Sequence, residues 1–282
     1  MQILQPDFEA GSLIFLLIAS PFVGSFLALV AERLPLDKSV FFGRSYCKSC
    51  ERALGPADMV PLISALVLKW RCRTCGAAFG KRDSLVELLC LGIAIWCVLV
   101  LPVPVVFVGF ILGSVLLVLS AIDIEHMYLP DVLLYPLTLG GLGFVWWWQP
   151  EAFIHHIIGA VIGGLSFFLI RWSYTRLRGC EGLGLGDVKF ACAIGAWVGW
   201  MGLASVILIA AVSALLFYLI RKRFKKRSPL LIDKIELSSE EQAGKESNLE
   251  TSKELDSSLL PFGPFLALGL WITWLYGPII VG

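Results

Sequence analysis

Lysine and arginine are missing from four long stretches of this chain, residues 1–32, 83–170, 190–220 and 254–282. A soluble domain scatters its basic residues, and about a quarter of it is charged. Here only 16% of the residues are charged and 57% are hydrophobic, which excludes an ordinary soluble fold. The net charge of +1 gives no reason to expect nucleic acid as a partner. A basic n-region is also missing ahead of the first apolar run, residues 12–31, where Asp7 and Glu9 stand instead. That argues against a cleaved signal peptide and for a retained first span with its N-terminus outside. No internal repeat is evident.

What is present is segregated. All 23 basic residues fall in three windows: ten in Arg33–Arg82, four in Arg171–Lys189 and nine in Arg221–Lys253. Alternation of such windows with apolar runs of about 20 residues is the pattern of a multi-pass membrane protein whose basic loops stay on the cytoplasmic side. The expected fold is all-α, with eight transmembrane helices near 12–31, 84–101, 104–122, 132–149, 153–171, 187–200, 203–220 and 260–280. Short outside turns are expected at 102–103, 150–152 and 201–202. The inside segments are then 32–83, 123–131, 172–186 and 221–259, and both termini lie outside. Residues 84–282 form the membrane core. Trp146, Trp147 and Trp148 stand at an outside turn, as an interfacial aromatic belt requires; a ligand platform is the alternative. The sixth span is short and holds Gly195 and Gly199, which suggests tilt or burial among other helices. The 221–259 insert opens on a basic cluster suited to anionic headgroups and continues as a polar stretch, read as a solvated linker or a partner-docking loop.

The first inside segment, 32–83, carries Cys47 and Cys50, then, after twenty-one residues, Cys72 and Cys75. Two CxxC pairs at this separation fit a tetrahedral zinc site, and a cytoplasmic loop is too reducing for disulfides. Gly76 relieves the backbone beside the second pair. Four sulfur ligands leave no position for an activated water, so the zinc is structural, and it supplies folding free energy to a loop too small for a core. Unpaired thiols or a redox pair are the alternatives. Cys90, Cys97, Cys180 and Cys192 lack the spacing and are read as inert.

Carboxylates at the edge of a bilayer are costly and point to function. Glu87, Asp123, Asp131 and Asp187 qualify. Asp123 closes the third span and Asp187 opens the sixth, inside Gly184-Leu-Gly186-Asp187-Val-Lys189. The 64 positions between them accommodate one helical hairpin, which returns the chain to the face it left and lets the two acids meet. Paired aspartates sharing one proton suit hydrolysis, one activating water and the other polarising the carbonyl or protonating the leaving nitrogen. Helix polarity then predicts an ionised Asp187 at a helix N-terminus and a protonated Asp123 near a helix C-terminus. The alternative is that the carboxylates cap helices or pair with Lys189 or His126. Glu87 reads as an interfacial acid, Asp131 as an N-cap, and His155 and His156 as outer-face residues.

These residues resemble those of the bacterial type IV prepilin peptidases, GxGD-type intramembrane aspartyl proteases that are also N-methyltransferases. The likeness runs over nearly the whole chain: Gly24-Ser25-Phe26-Leu27 with Arg33-Leu34-Pro35; Arg44-Ser45 and the cysteine quartet with Leu54, Asp58, Pro61 and Ser64; Arg82 and Glu87; Ile122-Asp123 with Leu129-Pro130-Asp131; the GxGD signature; and Pro261-Phe262-Gly263-Pro264-Phe265 in the last helix. GxGD alone is shared with other proteases, whereas the quartet with two aspartates in this order is specific. The resemblance implies catalytic Asp123 and Asp187, supporting Gly184, Gly186 and Lys189, and zinc on Cys47, Cys50, Cys72 and Cys75. It also implies an inner-membrane enzyme of pilus biogenesis or type II secretion. Such an enzyme cuts the leader of prepilins or pseudopilins after a glycine at the cytoplasmic face. It then methylates the new N-terminus from S-adenosylmethionine. No glycine-rich Rossmann fingerprint marks a methyl-donor site, and the first inside loop is the place to look. The long 221–259 insert departs from the family's short connection. The rival readings are a preflagellin-type peptidase without methyl transfer, a transporter, and a zinc-loop scaffold.

Overall fold

The computed structural model describes residues 6–39, 46–47, 49–53, 55, 60–78, 81–179, 182–225 and 261–279. Readings placed on Arg44, Ser45, Leu54, Asp58, Cys180 and residues 226–259 of the insert fall outside these. The described residues are helical, with no strand beyond two isolated bridges, Tyr46 to Ala53 and Arg71 to Ala78. The helices are α1 (Pro6–Arg33), α2 (Ile63–Leu68), α3 (Lys81–Val100), α4 (Val103–His126), α5 (Asp131–Trp148), α6 (Phe153–Arg178), α7 (Leu185–Lys225) and α8 (Gly263–Tyr276). Five of them are long and apolar enough to cross a membrane. Their exposed faces carry large apolar side chains such as Phe15, Leu99, Leu139 and Leu215, the surface that lipid requires.

The expected spans are present as helices, with ends shifted by a few residues. The exception is the turn expected at 201–202. The chain runs helically from Leu185 to Lys225 except at Gly199, whose φ of 67° and ψ of 178° leave the helical region. The chain doubles back there. A Cβ on Gly163 of α6 would lie 2.4 Å from the Ala191 carbonyl oxygen and 3.3 Å from a Leu203 methyl. Residues twelve apart on a straight helix are about 18 Å apart. Gly159, one turn closer to the reversal, meets Gly195, Gly199 and Trp200. The hairpin is therefore real, but its whole turn is one glycine in a left-handed conformation that a side chain would strain. His156 Nδ1 contacts the Ala196 carbonyl at 3.0 Å and Trp200 Nε1 donates to His155 Nδ1 at 3.2 Å. The two histidines, expected only to sit at the outer face, brace this turn.

Small residues let α6 and α7 touch backbone to backbone. A Cβ on Gly195 would fall 2.1 Å from the Gly159 carbonyl oxygen, the close approach that holds helices together where no hydrophobic drive exists between them. The first half of α7 is enclosed by other helices. Phe190, Ala193 and Ala196 are fully buried, in line with the burial among other helices expected for the sixth span. Trp197 donates to the Leu137 carbonyl at 2.8 Å and packs among Phe144 and Trp274. Trp146 packs edge-on against Phe153 while staying exposed.

Candidate active site and metal centre

Two helix ends meet at Asp123. It lies in the last turn of α4, buried to 6% exposure, where its carbonyl accepts the Met127 N–H that caps the helix. Its carboxylate Oδ2 accepts the Gly263 N–H at 2.9 Å. Gly263 opens α8, so this N–H is one of the donors a helix leaves unpaired at its start. A Cβ on Gly263 would fall 2.6 Å from Oδ2, so only glycine allows the approach. Asp123 therefore meets two helix ends of opposite polarity, the carbonyl end of α4 and the N–H end of α8. The polarity argument that gave it the proton counted only the first.

Asp187 is the third residue of α7, and its carboxylate accepts the N–H of Gly184, just ahead of the helix. This is one half of a capping box, a side chain at the third helical position reaching back to the cap. Gly186 seats the helix start against the 127–130 loop, since its own Cβ would meet Leu129 Cβ at 2.9 Å. Leu129 is buried. The α4–α5 loop and the start of α7 thus share one end of the bundle, and the Asp187 carboxylate lies within electrostatic range of Asp123.

The neighbouring acids have other partners. Lys189 Nζ reaches both carboxylate oxygens of Asp131 at 2.7 Å. The N-cap of α5 is Pro130 and Asp131 is its first helical residue, so in place of the expected N-cap role Asp131 carries this bridge from α5 to α7. Glu87 is buried in the protein: it accepts the Leu62 N–H at 2.9 Å and a bond from Ser25. It ties the first inside loop to α1 and α3. Arg82 Nε pairs with Glu125, two residues past Asp123, and so fastens the opening of α3 to the end of α4. His126 sits on the last turn of α4 beside Glu125. The Gly263 donor was missed by motif reading because it stands 140 residues from its acceptor. The only local sign was a Gly-Pro pair at a helix start.

The four cysteines of the first inside loop form one cluster. Cys47 and Cys75 sulfurs are 3.7 Å apart, Cys50 and Cys72 sulfurs 3.9 Å, and all four lie within 4.8 Å of one another. A tetrahedral site with metal–sulfur bonds of about 2.3 Å has edges of about 3.8 Å, so the donors fit a single ion. The two halves are built alike. Cys47 N–H donates to the Arg52 carbonyl and Glu51 N–H to Cys47; Cys72 N–H donates to the Ala77 carbonyl and Gly76 N–H to Cys72. Glu51 and Gly76 occupy the same left-handed position, at φ 55° and 68°. The repeat is structural and hidden in sequence because only one half uses glycine. Backbone N–H bonds from Cys75 and Thr74 lower the Cys72 thiol to about 6, and those from Ser49 and Cys50 lower Cys47. The Arg52 N–H pulls Cys50 down, but burial and the neighbouring sulfurs outweigh it and raise that thiol to about 11. Cys90 and Cys97 are fully buried in the bundle, consistent with inert packing.

Fold and site together define an all-helical membrane protein with two carboxyls at one end of its bundle and a four-cysteine cluster in the loop between its first long helices. Residues 18–101 match the family model of the bacterial peptidase A24 N-terminal domain, and residues 110–219 that of the type IV leader peptidase family. A prepilin leader peptidase/N-methyltransferase of Burkholderia pseudomallei (strain 1026b) is 32% identical over 294 residues, covering 94% of this chain and 85% of the relative. One from Klebsiella pneumoniae is 35% identical over 224 residues, covering 75% and 97%. One from Aeromonas hydrophila is 32% identical over 291 residues, covering 94% and 90%. No solved structure gives a significant match. The chain belongs to the type IV leader peptidase family.

Proposed function

We propose that this chain removes the leader peptide of type IV prepilins or pseudopilins at the inner face of the bacterial inner membrane, and then methylates the exposed N-terminus. Family membership supports both activities. The observation that carries the protease reading is the meeting of Asp123 and Asp187 at one end of the bundle, each fixed by a glycine N–H. Eight crossings follow if α1, α3, α4, α5, α6, the two halves of α7 and α8 each span the bilayer. All basic windows then face the cytoplasm, and both termini lie outside.

The two carboxyls share one proton, as like charges at short range do. The ionised aspartate takes a proton from water as the oxygen attacks the scissile carbonyl carbon. The protonated one donates to the carbonyl oxygen, giving a neutral tetrahedral diol. Proton return to the leaving nitrogen breaks the C–N bond and restores the shared proton. Gly263 and Gly184 hold the carboxylates in place through this cycle, and the Lys189–Asp131 bridge holds α7 against α5. Cys47, Cys50, Cys72 and Cys75 would hold zinc as thiolates, and the bound ion would organise the loop. S-adenosylmethionine supplies the methyl group, and no residue is assigned to it.

The test is direct. Purified protein in detergent is mixed with synthetic prepilin, and products are weighed by mass spectrometry. Leader loss is expected for wild type and not for Asp123→Ala or Asp187→Ala. With S-adenosylmethionine, both variants should still add a methyl group to pre-cleaved substrate. Leader cleavage by either variant at the wild-type rate would refute the dyad. Persistent cleavage without methyl addition would remove only the second activity.

A further inference from the structure

The first inside loop carries an apolar surface that no span explains. α2 has six residues, too few to cross a bilayer. Ile63, Leu66 and Val67 fall at i, i+3 and i+4, on one helical face, and are 61%, 68% and 69% exposed. Exposed apolar faces of this kind mark contact surfaces.

Two hydrogen bonds fix the level at which this face sits. The Leu62 N–H ahead of α2 donates to Glu87 Oε2 at 2.9 Å, and Trp70 Nε1 beyond it donates to Ser84 Oγ at 3.2 Å. Both acceptors belong to the opening turns of α3. That helix has 20 residues, or about 30 Å, which is about the thickness of the hydrocarbon core. Glu87 lies roughly 9 Å along it. α2 is thus pinned at the level of the headgroups or just beneath them.

Charge stands beside the apolar face. Directly after α2, Lys69, Trp70 and Arg71 line an open cavity of about 450 Å³ together with Gly76, Ala78 and Lys81. Among the described residues the lining holds three cations, one indole and no acid. Lys81 is the first residue of α3, so the cavity opens where the helix enters the bilayer. Lys69 and Trp70 reach it by two successive left-handed residues, φ 50° and 53°, a conformation that strains residues with a side chain. Strain of that kind is kept where it places functional side chains.

We propose that α2 is an interfacial helix, with Ile63, Leu66 and Val67 in the acyl boundary of the inner leaflet, and that the Lys69–Arg71–Lys81 cavity takes the phosphate of an anionic phospholipid. Basic residues next to an apolar helical face, with tryptophan at headgroup depth, form the chemical pattern of such contacts. A sulfonium cofactor would meet like charge here, and a basic leader peptide would as well. The inference takes from the reading above only which leaflet is meant, and it stands whether or not the two aspartates form the dyad.

The test uses the full chain reconstituted in nanodiscs of phosphatidylcholine and phosphatidylglycerol. Native mass spectrometry after detergent release counts the lipids retained. Wild type should keep phosphatidylglycerol in preference to phosphatidylcholine. The Lys69→Ser/Arg71→Ser/Lys81→Ser variant should lose that preference, by a factor on the order of 100 for three cations at an anionic surface. A benzophenone side chain in place of Leu66 should, on irradiation, add to lipid acyl chains, which keeps the test decisive should the triple variant misfold. Equal retention of both lipids by wild type overturns the proposal. So does a Leu66 adduct on added prepilin with none on lipid.

Discussion

Adding one methyl group at Gly263 should disable cleavage while sparing the rest of the protein. In Gly263→Ala the new Cβ would sit 2.6 Å from Asp123 Oδ2, 3.0 Å from its Cγ and 3.3 Å from its Cβ. The carboxylate or α8 must move, and the 2.9 Å bond from the Gly263 N–H is lost. A hydrogen bond to a charged group contributes about 1.5–3 kcal/mol, which converts to roughly a 10- to 150-fold drop in rate. The assay is steady-state cleavage of synthetic prepilin in detergent. The loss should fall on kcat with KM little changed, because the methyl touches the carboxyl and no part of the substrate path. Methylation of pre-cleaved substrate, run in parallel, should hold. Gly92→Ala and Gly143→Ala are matched controls, since a Cβ there meets nothing within 4 Å. If Gly263→Ala cleaves as fast as these controls, the α8 donor has no part in the chemistry.

Three other outcomes are expected. In the cysteine loop, Glu51→Gly should tighten zinc retention against a chelator by about 1 kcal/mol and Gly76→Ala should weaken it by a similar amount, because both positions are left-handed; opposite or equal effects would break the equivalence of the two knuckles. Gly195→Val should unfold the α6–α7 contact, where a Cβ already falls 2.1 Å from a carbonyl oxygen, and a thermal melt within a few degrees of wild type would contradict that packing. In metal-free protein at pH 7, alkylation read by peptide mass spectrometry should mark Cys72 ahead of Cys50. Cys72, lowered to about 6, is already thiolate above that pH and protonates as pH falls below it. Cys50, raised to about 11, stays protonated.

Much of this was legible in sequence because it rests on composition over long windows or on short exact spacings. The gaps in lysine and arginine gave the helices. The CxxC pairs gave the sulfur cluster, whose geometry fits one ion. Asp123 and Asp187 were read as partners from the hairpin between them, and they do share one end of the bundle. What escaped lies in single backbone positions or distant pairs. Gly199 and Gly202 both mark a turn in sequence, and only the backbone angle tells which one makes it. Asp131 looked like a cap because it follows proline; its partner Lys189 is 58 residues away. The matching knuckles were masked because Glu51 accepts a conformation that usually calls for glycine.

The order in which the ribosome delivers these parts has a consequence. Both aspartates and the cysteine quartet have been synthesised before residue 261, yet the N–H that steadies Asp123 arrives with α8. A nascent chain that has inserted its recognisable motifs is still an unfinished tool. By the proposed mechanism, such a chain holds both carboxyls but lacks the N–H bonded to Asp123, and should cut slowly.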